Sequence, residues 1–342
     1  MNSSEIWNLN GLQYCFDTDN SSCIRIMRSK ATSASMYIFM AGTIIFTITG
    51  NLVVIISVTH FRQLHTPTNF LILSLAVADC LVGLMVMPFS MIRSVETCWY
   101  FGNTFCKIHT SCDMMLCTCS ILHLCVIAID RYYAVCDPLH YVTKMTVQVT
   151  GVLLFIIWLV SVFLAFGLIF SEINAEGIKE FVKSVSCEGS CTLILNKVWG
   201  VVAPSIAFFI PAFATICIYI KIFIVAEKHM RVLSIQENVA SSSILKVKNY
   251  KERKAAKTLG IVIGTFLLCW LPFFTTTITD PFLNFSATVT LSDAVLWLGY
   301  FNSMFNPLIY GLFYPWFRKA LKMILRGALF GAGSTSAILF SD

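Results

Sequence analysis

Seven windows of about 20 predominantly apolar residues dominate this chain, each long enough to cross a ~30 Å hydrocarbon core as a helix. They lie near 36–59, 69–91, 105–128, 147–169, 197–225, 256–279 and 290–313. Lipid offers no partner to backbone N–H and C=O groups, so windows of this length must pair those groups along their own helices. With their connections the seven windows absorb nearly all 342 residues. The expected fold is therefore an all-α membrane protein, one seven-transmembrane helix bundle, rather than the two soluble domains that length alone would suggest. Only 12% of residues are charged, about half the share usual in soluble domains.

The chain divides into three regions. Residues 1–34 read as a polar N-terminal tail without the apolar core of a cleaved signal peptide. Residues 35–313 are the bundle, and 314–342 a short amphipathic eighth helix and tail. In "YPWFRKALKMIL" the aromatic and aliphatic residues share one face and Arg318, Lys319 and Lys322 another, while Pro315 suits a first helical turn. Residues 226–252, polar and lysine-rich, read as a flexible loop. Pro88, Pro204, Pro211, Pro272 and Pro307 fall within spans and are expected to kink them.

An odd number of spans puts the termini on opposite sides. Connections after spans one, three and five and the C-terminal tail carry most of the 24 basic residues, which marks that side as cytoplasmic and places the N terminus outside. The net charge of +6 then faces anionic lipid and a cytosolic partner; nothing in it suggests nucleic acid. Cys15, Cys23, Cys98, Cys106, Cys187 and Cys191 fall on the outer side, where disulfides form. Six cysteines allow about fifteen pairings, and spacing does not choose among them. Glycosylation sequons at Asn2 and Asn20, and a further one at Asn284, have the same polarity.

The third span contains "SCDMMLCTCSILHL", with one carboxylate, Asp113, among apolar neighbours. An acid at bilayer depth costs about 2.5–3.5 kcal/mol on insertion scales, so it faces the bundle interior and has a partner. Asp130 lies 17 residues on, roughly 25 Å deeper along a straight helix, which leaves Asp113 in the outer third of the membrane. Asp113, Cys117, Ser120 and Ile121 share one helical face; so do Phe266, Trp270, Phe273, Phe274 and Thr277 in span six, and Trp297, Tyr300, Phe301 and Met304 in span seven. A carboxylate among aromatic faces suits a small organic cation, through a charge-assisted hydrogen bond and cation–π attraction. The competing readings are a packing or proton-relay acid and an ordinary aromatic core. A second acid, Asp79 in span two, has Ser120, Asn302, Ser303 and Asn306 as candidate oxygen neighbours. That set suits a small hard cation such as sodium, or equally a hydrated polar network that eases helix rearrangement. No other cofactor is expected.

Residues 35–325 resemble the rhodopsin-like (class A) G-protein-coupled receptors. The resemblance is carried by "GN" at Gly50 and Asn51, "LAVAD" ending at Asp79, Cys106, "DRY" at Asp130, Arg131 and Tyr132, Trp158, Pro211 with Tyr219, "CWLP" at 269–272 and "NPLIY" at 306–310. "NSMFNPLIYGLFYPWF", "CWYFG" and "ERKAAKTLGI" narrow it to the trace amine-associated receptors, and "CDPLHYVTKMT" and "LGYFNS" are most similar to members answering to primary amines.

The resemblance implies a ligand pocket of Asp113, Met114, Cys117, Trp270, Phe273, Phe274, Thr277, Trp297 and Tyr300. It implies an activation switch of Ile121, Pro211, Phe266, Tyr219, Asn306, Pro307 and Tyr310, with Arg131 held at rest by Asp130 and by Glu252. It pairs Cys106 with Cys191 and Cys23 with Cys187, leaving Cys15 and Cys98 unassigned. The implied protein is a non-enzymatic plasma-membrane receptor for primary monoamines such as 2-phenylethylamine, serving olfaction and raising cAMP through a stimulatory G protein. The alternative is a biogenic-amine neurotransmitter receptor. Catecholamine receptors place hydroxyls in span five where this chain has Ala203, Pro204 and Ala207. Span seven has no lysine for a retinal Schiff base, no repeat symmetry suggests a transporter, and the six histidines show no metal-ligand spacing.

Overall fold

The computed structural model describes residues 13–16, 21–240, 243–313, 315–327, 335 and 339, with side chains except at 229, 230, 233–240, 243–259 and 315. Its long helices are α1 (Lys30–His60), α2 (Pro67–Glu96), α3 (Gly102–Cys136), α4 (Val147–Phe170), α5 (Lys197–Pro204, a π turn Ser205–Phe209, then Ile210–Ala240), α6 (Ser243–Thr279) and α7 (Val289–Phe313). The amphipathic α8 (Pro315–Leu325) comes next. α1 packs on α2, α5 on α6, α6 on α7 and α7 back on α1, while α3 runs through the middle against α2, α4 and α5 and so links α4 to α5.

Side-chain caps set the helix starts. Ser29, Thr66, Thr146 and Asn196 each accept a hydrogen bond from the backbone N–H three residues on, pairing one of the donors a helix start leaves free. The Ser29 cap starts α1 at Lys30, five residues inside the stretch expected to be tail. Pro88 and Pro211 lack an amide hydrogen and crowd the preceding turn. The chain relaxes ahead of each into a π turn, Val82–Val86 in α2 and Ser205–Phe209 in α5.

The seven helices stand as expected, and one expectation, the loop at 226–252, is corrected. Among the described residues six helices, α1 to α6, are long and apolar enough to cross a membrane. The seventh window falls short because α7 carries Asp293, Asn302, Ser303 and Asn306. It completes the bundle by turning those groups inward: Asn302, Ser303 and Asn306 are buried. The presumed loop at 226–252 is helical backbone on both sides of 241–242, as its alanine, leucine, lysine and glutamate content favours.

In α8, Trp316, Phe317 and Ala320 pack on Val54, Val58, Phe61 and Leu64, with Arg318 and Lys322 exposed on the opposite side. Arg318 donates to the carbonyls of Gly311 and Leu312 (3.2 and 2.9 Å), favourable for a cation at the C-terminal end of α7.

Candidate ligand site and switch

Asp113 is half-buried in α3. Tyr300 of α7 donates its hydroxyl to Asp113 Oδ2 at 2.7 Å, and Cys117, one turn along α3, directs its thiol to Oδ1 at 3.3 Å. Among the described residues no basic side chain forms a salt bridge with it. The carboxylate is thus held by neutral donors, and its charge is left for a cation.

Below and beside it lies one apolar cluster containing Cys117, Ile121, Phe208, Phe266, Trp270, Phe274, Trp297 and Tyr300, with Phe273 packed against it. Phe208 stacks on Phe274 (4.6 Å between centroids, 7° between planes). Trp270 meets Phe273 edge-on at 6.1 Å and Phe274 at 5.7 Å. Trp297 stands edge-on to Tyr300 at 5.5 Å and donates its indole N–H to Ser94 (3.2 Å). Two expected members sit differently. Met114 packs with Leu168, Leu195 and Ala203 on the α4–α5 side, and the Thr277 hydroxyl is spent on the Phe273 carbonyl of its own helix (2.9 Å).

The rim is stapled by Cys106–Cys191, Cys23–Cys187 and Cys15–Cys98; the last pair is the one that spacing and resemblance left open. Around these, Arg25 pairs with Glu96, which also accepts from Tyr37 (2.7 Å), and Arg28 donates to the carbonyls of Ser94 and Val95 (2.6 and 2.8 Å). The segment before α1 is therefore laced to the end of α2. Nearby, Lys107 donates to Glu172 (2.6 Å) and holds its carboxyl below the ordinary value. Asn2 and Asn20 lie outside the described residues.

Deeper in the bundle, Asp79 is fully buried and receives three direct hydrogen bonds: Ser120 (3.0 Å), Ser303 (2.7 Å) and Asn306 (2.7 Å). Asn302 is buried beside them, but its amide nitrogen has no hydrogen-bond partner. The donor set fits a small cation in kind, one carboxylate with hydroxyl and amide oxygens. A cation would have to displace the Asn306 N–H that now faces the carboxylate.

At the far end of α3, Arg131 binds the buried Asp130 (2.5 and 2.9 Å) and Thr68. Thr68 (2.8 Å) and Tyr141 (3.0 Å) complete the shell on Asp130. Arg131 lines a cleft with Thr68, Leu124, Tyr219, Val262, Asn306 and Tyr310, so the switch residues of α3, α5 and α7 converge on one space. Pro307 is packed so tightly on α1 that a Cβ at Gly50 would lie 2.9 Å from it. Tyr132 packs beside Tyr219 and Ile222 under the Lys221 ammonium (5.2 Å). The Glu252 side chain lies outside the described residues.

Residues 50–310 match the seven-transmembrane receptor (rhodopsin family) model. Trace amine-associated receptor 4 of Mus musculus is 55% identical over 99% of both chains. The chain belongs to the trace amine-associated receptors. Trace amine-associated receptor 2 of Rattus norvegicus is 53% identical, covering 96% of this chain and 95% of that one, and trace amine-associated receptor 1 of Homo sapiens 49%, covering 97% and 99%. As a trace amine-associated receptor it is a G-protein-coupled signalling receptor rather than an enzyme, and a multi-pass protein of the plasma membrane.

Sequence reasoning missed Phe208, Ser90, His109, Thr68 and Tyr141. Phe208 was legible as an aromatic one turn before Pro211 in span five; the other four had no signal beyond lying near a named residue.

Proposed function

We propose that this receptor detects small primary monoamines with a plain aromatic or aliphatic tail, such as 2-phenylethylamine. The observation that carries this reading is Asp113, a carboxylate engaged by Tyr300 and Cys117, which themselves belong to an aromatic-rich cluster. An ammonium would take the charge-assisted hydrogen bond, and its tail the faces of Phe273, Phe274 and Trp270.

The α5 wall supports a tail without catechol hydroxyls. Ala203 and Ala207 are buried there, and the Ser205 hydroxyl is spent on the Val201 carbonyl (2.6 Å). A catechol would lose about 1–3 kcal/mol per unsatisfied group, so dopamine should be at least tenfold weaker than 2-phenylethylamine; overlapping concentration–response curves would overturn this. Diamines should be poor ligands too. Between Val198 and Tyr219 α5 carries no acid to meet a second ammonium opposite Asp113.

The N terminus and its disulfides face outside and α8 the cytoplasm, a reading supported by the distribution of lysine and arginine and by three disulfides at one end. Occupancy would move Trp270 and Phe266, swing α6 outward and open the Arg131 cleft to a stimulatory G protein. The role is olfactory detection of volatile amines. The test is cAMP production in cells expressing the receptor, across primary, tertiary, catechol and diamine ligands; silence toward every amine at confirmed surface expression would reject the ligand class or the coupling.

Sodium at Asp79 is a further part of the proposal. Asp79, Ser120 and Ser303 would hold the ion, and Asn302 or Asn306 would add an amide oxygen. Raising sodium against a choline control should weaken agonist binding several-fold in wild type and not in Asp79→Asn. Equal sodium sensitivity in both would show that the acid serves only its hydrogen bonds.

A further inference from the structure

We propose that His109 is a positioning residue for the amine anchor, acting on Asp113 through Ser90 and Tyr300; the proposal rests on reading Asp113 as that anchor. His109 is 2% exposed. Its Nε2 lies 3.1 Å from the Val86 carbonyl and 3.4 Å from Ser90 Oγ. Ser90 Oγ is 3.2 Å from the Tyr300 hydroxyl, which is 2.7 Å from Asp113. His109, Ser90 and Tyr300 are all buried from solvent.

The proton order in this chain is fixed from both ends. Asp113, as a carboxylate, only accepts, so Tyr300 spends its single proton there. Ser90 must then donate to the Tyr300 oxygen, and its own oxygen is left to accept. The Val86 carbonyl also only accepts, so the proton on His109 sits on Nε2, shared between Val86 and Ser90. The opposite nitrogen agrees: Nδ1 is buried without a hydrogen-bond partner, on a ring packed among Trp99 (5.1 Å), Phe89 (6.1 Å) and Phe105 (6.5 Å). Every proton thus points toward Asp113, the arrangement in which each bond polarises the next.

The π turn in α2 makes the chain reachable. One extra residue in the turn rotates the remainder of the helix by about 100° relative to an unbroken α-helix. Ser90 and Ser94, which lie beyond the turn, face Tyr300 and Trp297. Val86, the last residue of that turn, supplies the carbonyl that His109 grips. Without the histidine, Ser90 is free to rotate, and the Tyr300 hydroxyl loses the donor that keeps it aimed at the acid.

The test has two arms. In the first, receptor labelled with 15N-histidine is observed by NMR, with His109 assigned by its loss in His109→Phe. A protonated Nε2 and a bare Nδ1 are expected, with the signal shifting in Ser90→Ala. A proton on Nδ1, or a signal indifferent to Ser90→Ala, overturns the relay without reference to any ligand. In the second, 2-phenylethylamine potency is measured at matched surface expression. His109→Phe keeps the ring in its aromatic setting and should lose about three- to tenfold, the worth of one hydrogen bond. His109→Gln, whose amide nitrogen reaches the place of Nε2, should restore potency, and His109→Asn, which reaches only that of Nδ1, should not. In a Tyr300→Phe background the His109→Phe loss should vanish. Additive losses would reject the relay while leaving Asp113 as anchor; amine silence in wild type with the expected NMR result would reject the ligand reading and leave the relay standing.

Discussion

Replacing Asp113 with alanine, in receptor that still reaches the cell surface, is expected to abolish the cAMP response to 2-phenylethylamine or shift its half-maximal concentration at least tens-fold. The size reflects the interactions removed. Losing one partner of a buried, hydrogen-bonded charge pair costs about 2–5 kcal/mol. The substitution also strands the Tyr300 hydroxyl, which now donates to the acid. Asp113→Asn separates charge from shape, since it keeps the volume and an acceptor oxygen while removing the charge. It should lie near the alanine variant if an ammonium is the ligand, and near wild type if the acid only braces α3 against α7. A wild-type curve for the surface-expressed alanine variant would assign Asp113 to packing and dismantle the pocket.

The second large effect is expected at Gly299. A Cβ there would lie 2.6, 2.9 and 3.1 Å from three atoms of the Trp270 ring. An indole is not a flexible chain end that can swing clear, and Trp270 is itself almost fully buried. Gly299→Ala should therefore displace Trp270 at an overpacking cost of about 1–3 kcal/mol. Two readouts should respond together. The midpoint of thermal unfolding in detergent should fall by several degrees, and basal cAMP should change on the proposal that Trp270 passes occupancy of the pocket into movement of α6. The decisive control is Gly299→Ala with Trp270→Phe, in which the smaller ring makes room for the methyl. Recovery of the unfolding midpoint in the double variant identifies the contact; an unaltered midpoint in Gly299→Ala would mean that α6 and α7 separate there at little cost.

How much of this could be read from the sequence depends on whether the information runs along a helix or between helices. The spans, the depth of Asp113 and the shared face of Phe266, Trp270, Phe273 and Phe274 are properties of single helices, and the 3.6-residue repeat gives them directly. The family resemblance put Asp113 and Tyr300 in one pocket, and the structure joins them by a hydrogen bond. Contacts set by relative rotation were not legible. Ser90 faces α7 only because the π turn before Pro88 rotates the end of α2, and no hydropathy pattern reports a π turn. The 2.6 Å approach of Gly299 to Trp270 reads in sequence as just a glycine in a span. Met114 is next to Asp113 in sequence but about 100° away around α3, where it packs with Ala203, a neighbour that sequence does not report. The 226–252 stretch was misread because polarity was taken for a loop when its residues are good helix formers.

The three disulfides also impose an order on the making of the protein. Cys23 joins a cysteine 164 residues later, and Cys15 one 83 residues later. At about 5–20 residues per second of synthesis, Cys23 waits on the order of ten to thirty seconds before its partner exists. During that wait Cys15 stands only eight positions away, and Cys98 and Cys106 emerge as competing thiols. Cys15 can close on Cys98 early, but Cys23 finds its partner only after the fourth helix has been made, so a newly made receptor must keep Cys23 uncommitted, or exchange an early wrong partner for the right one, before it leaves the oxidising compartment.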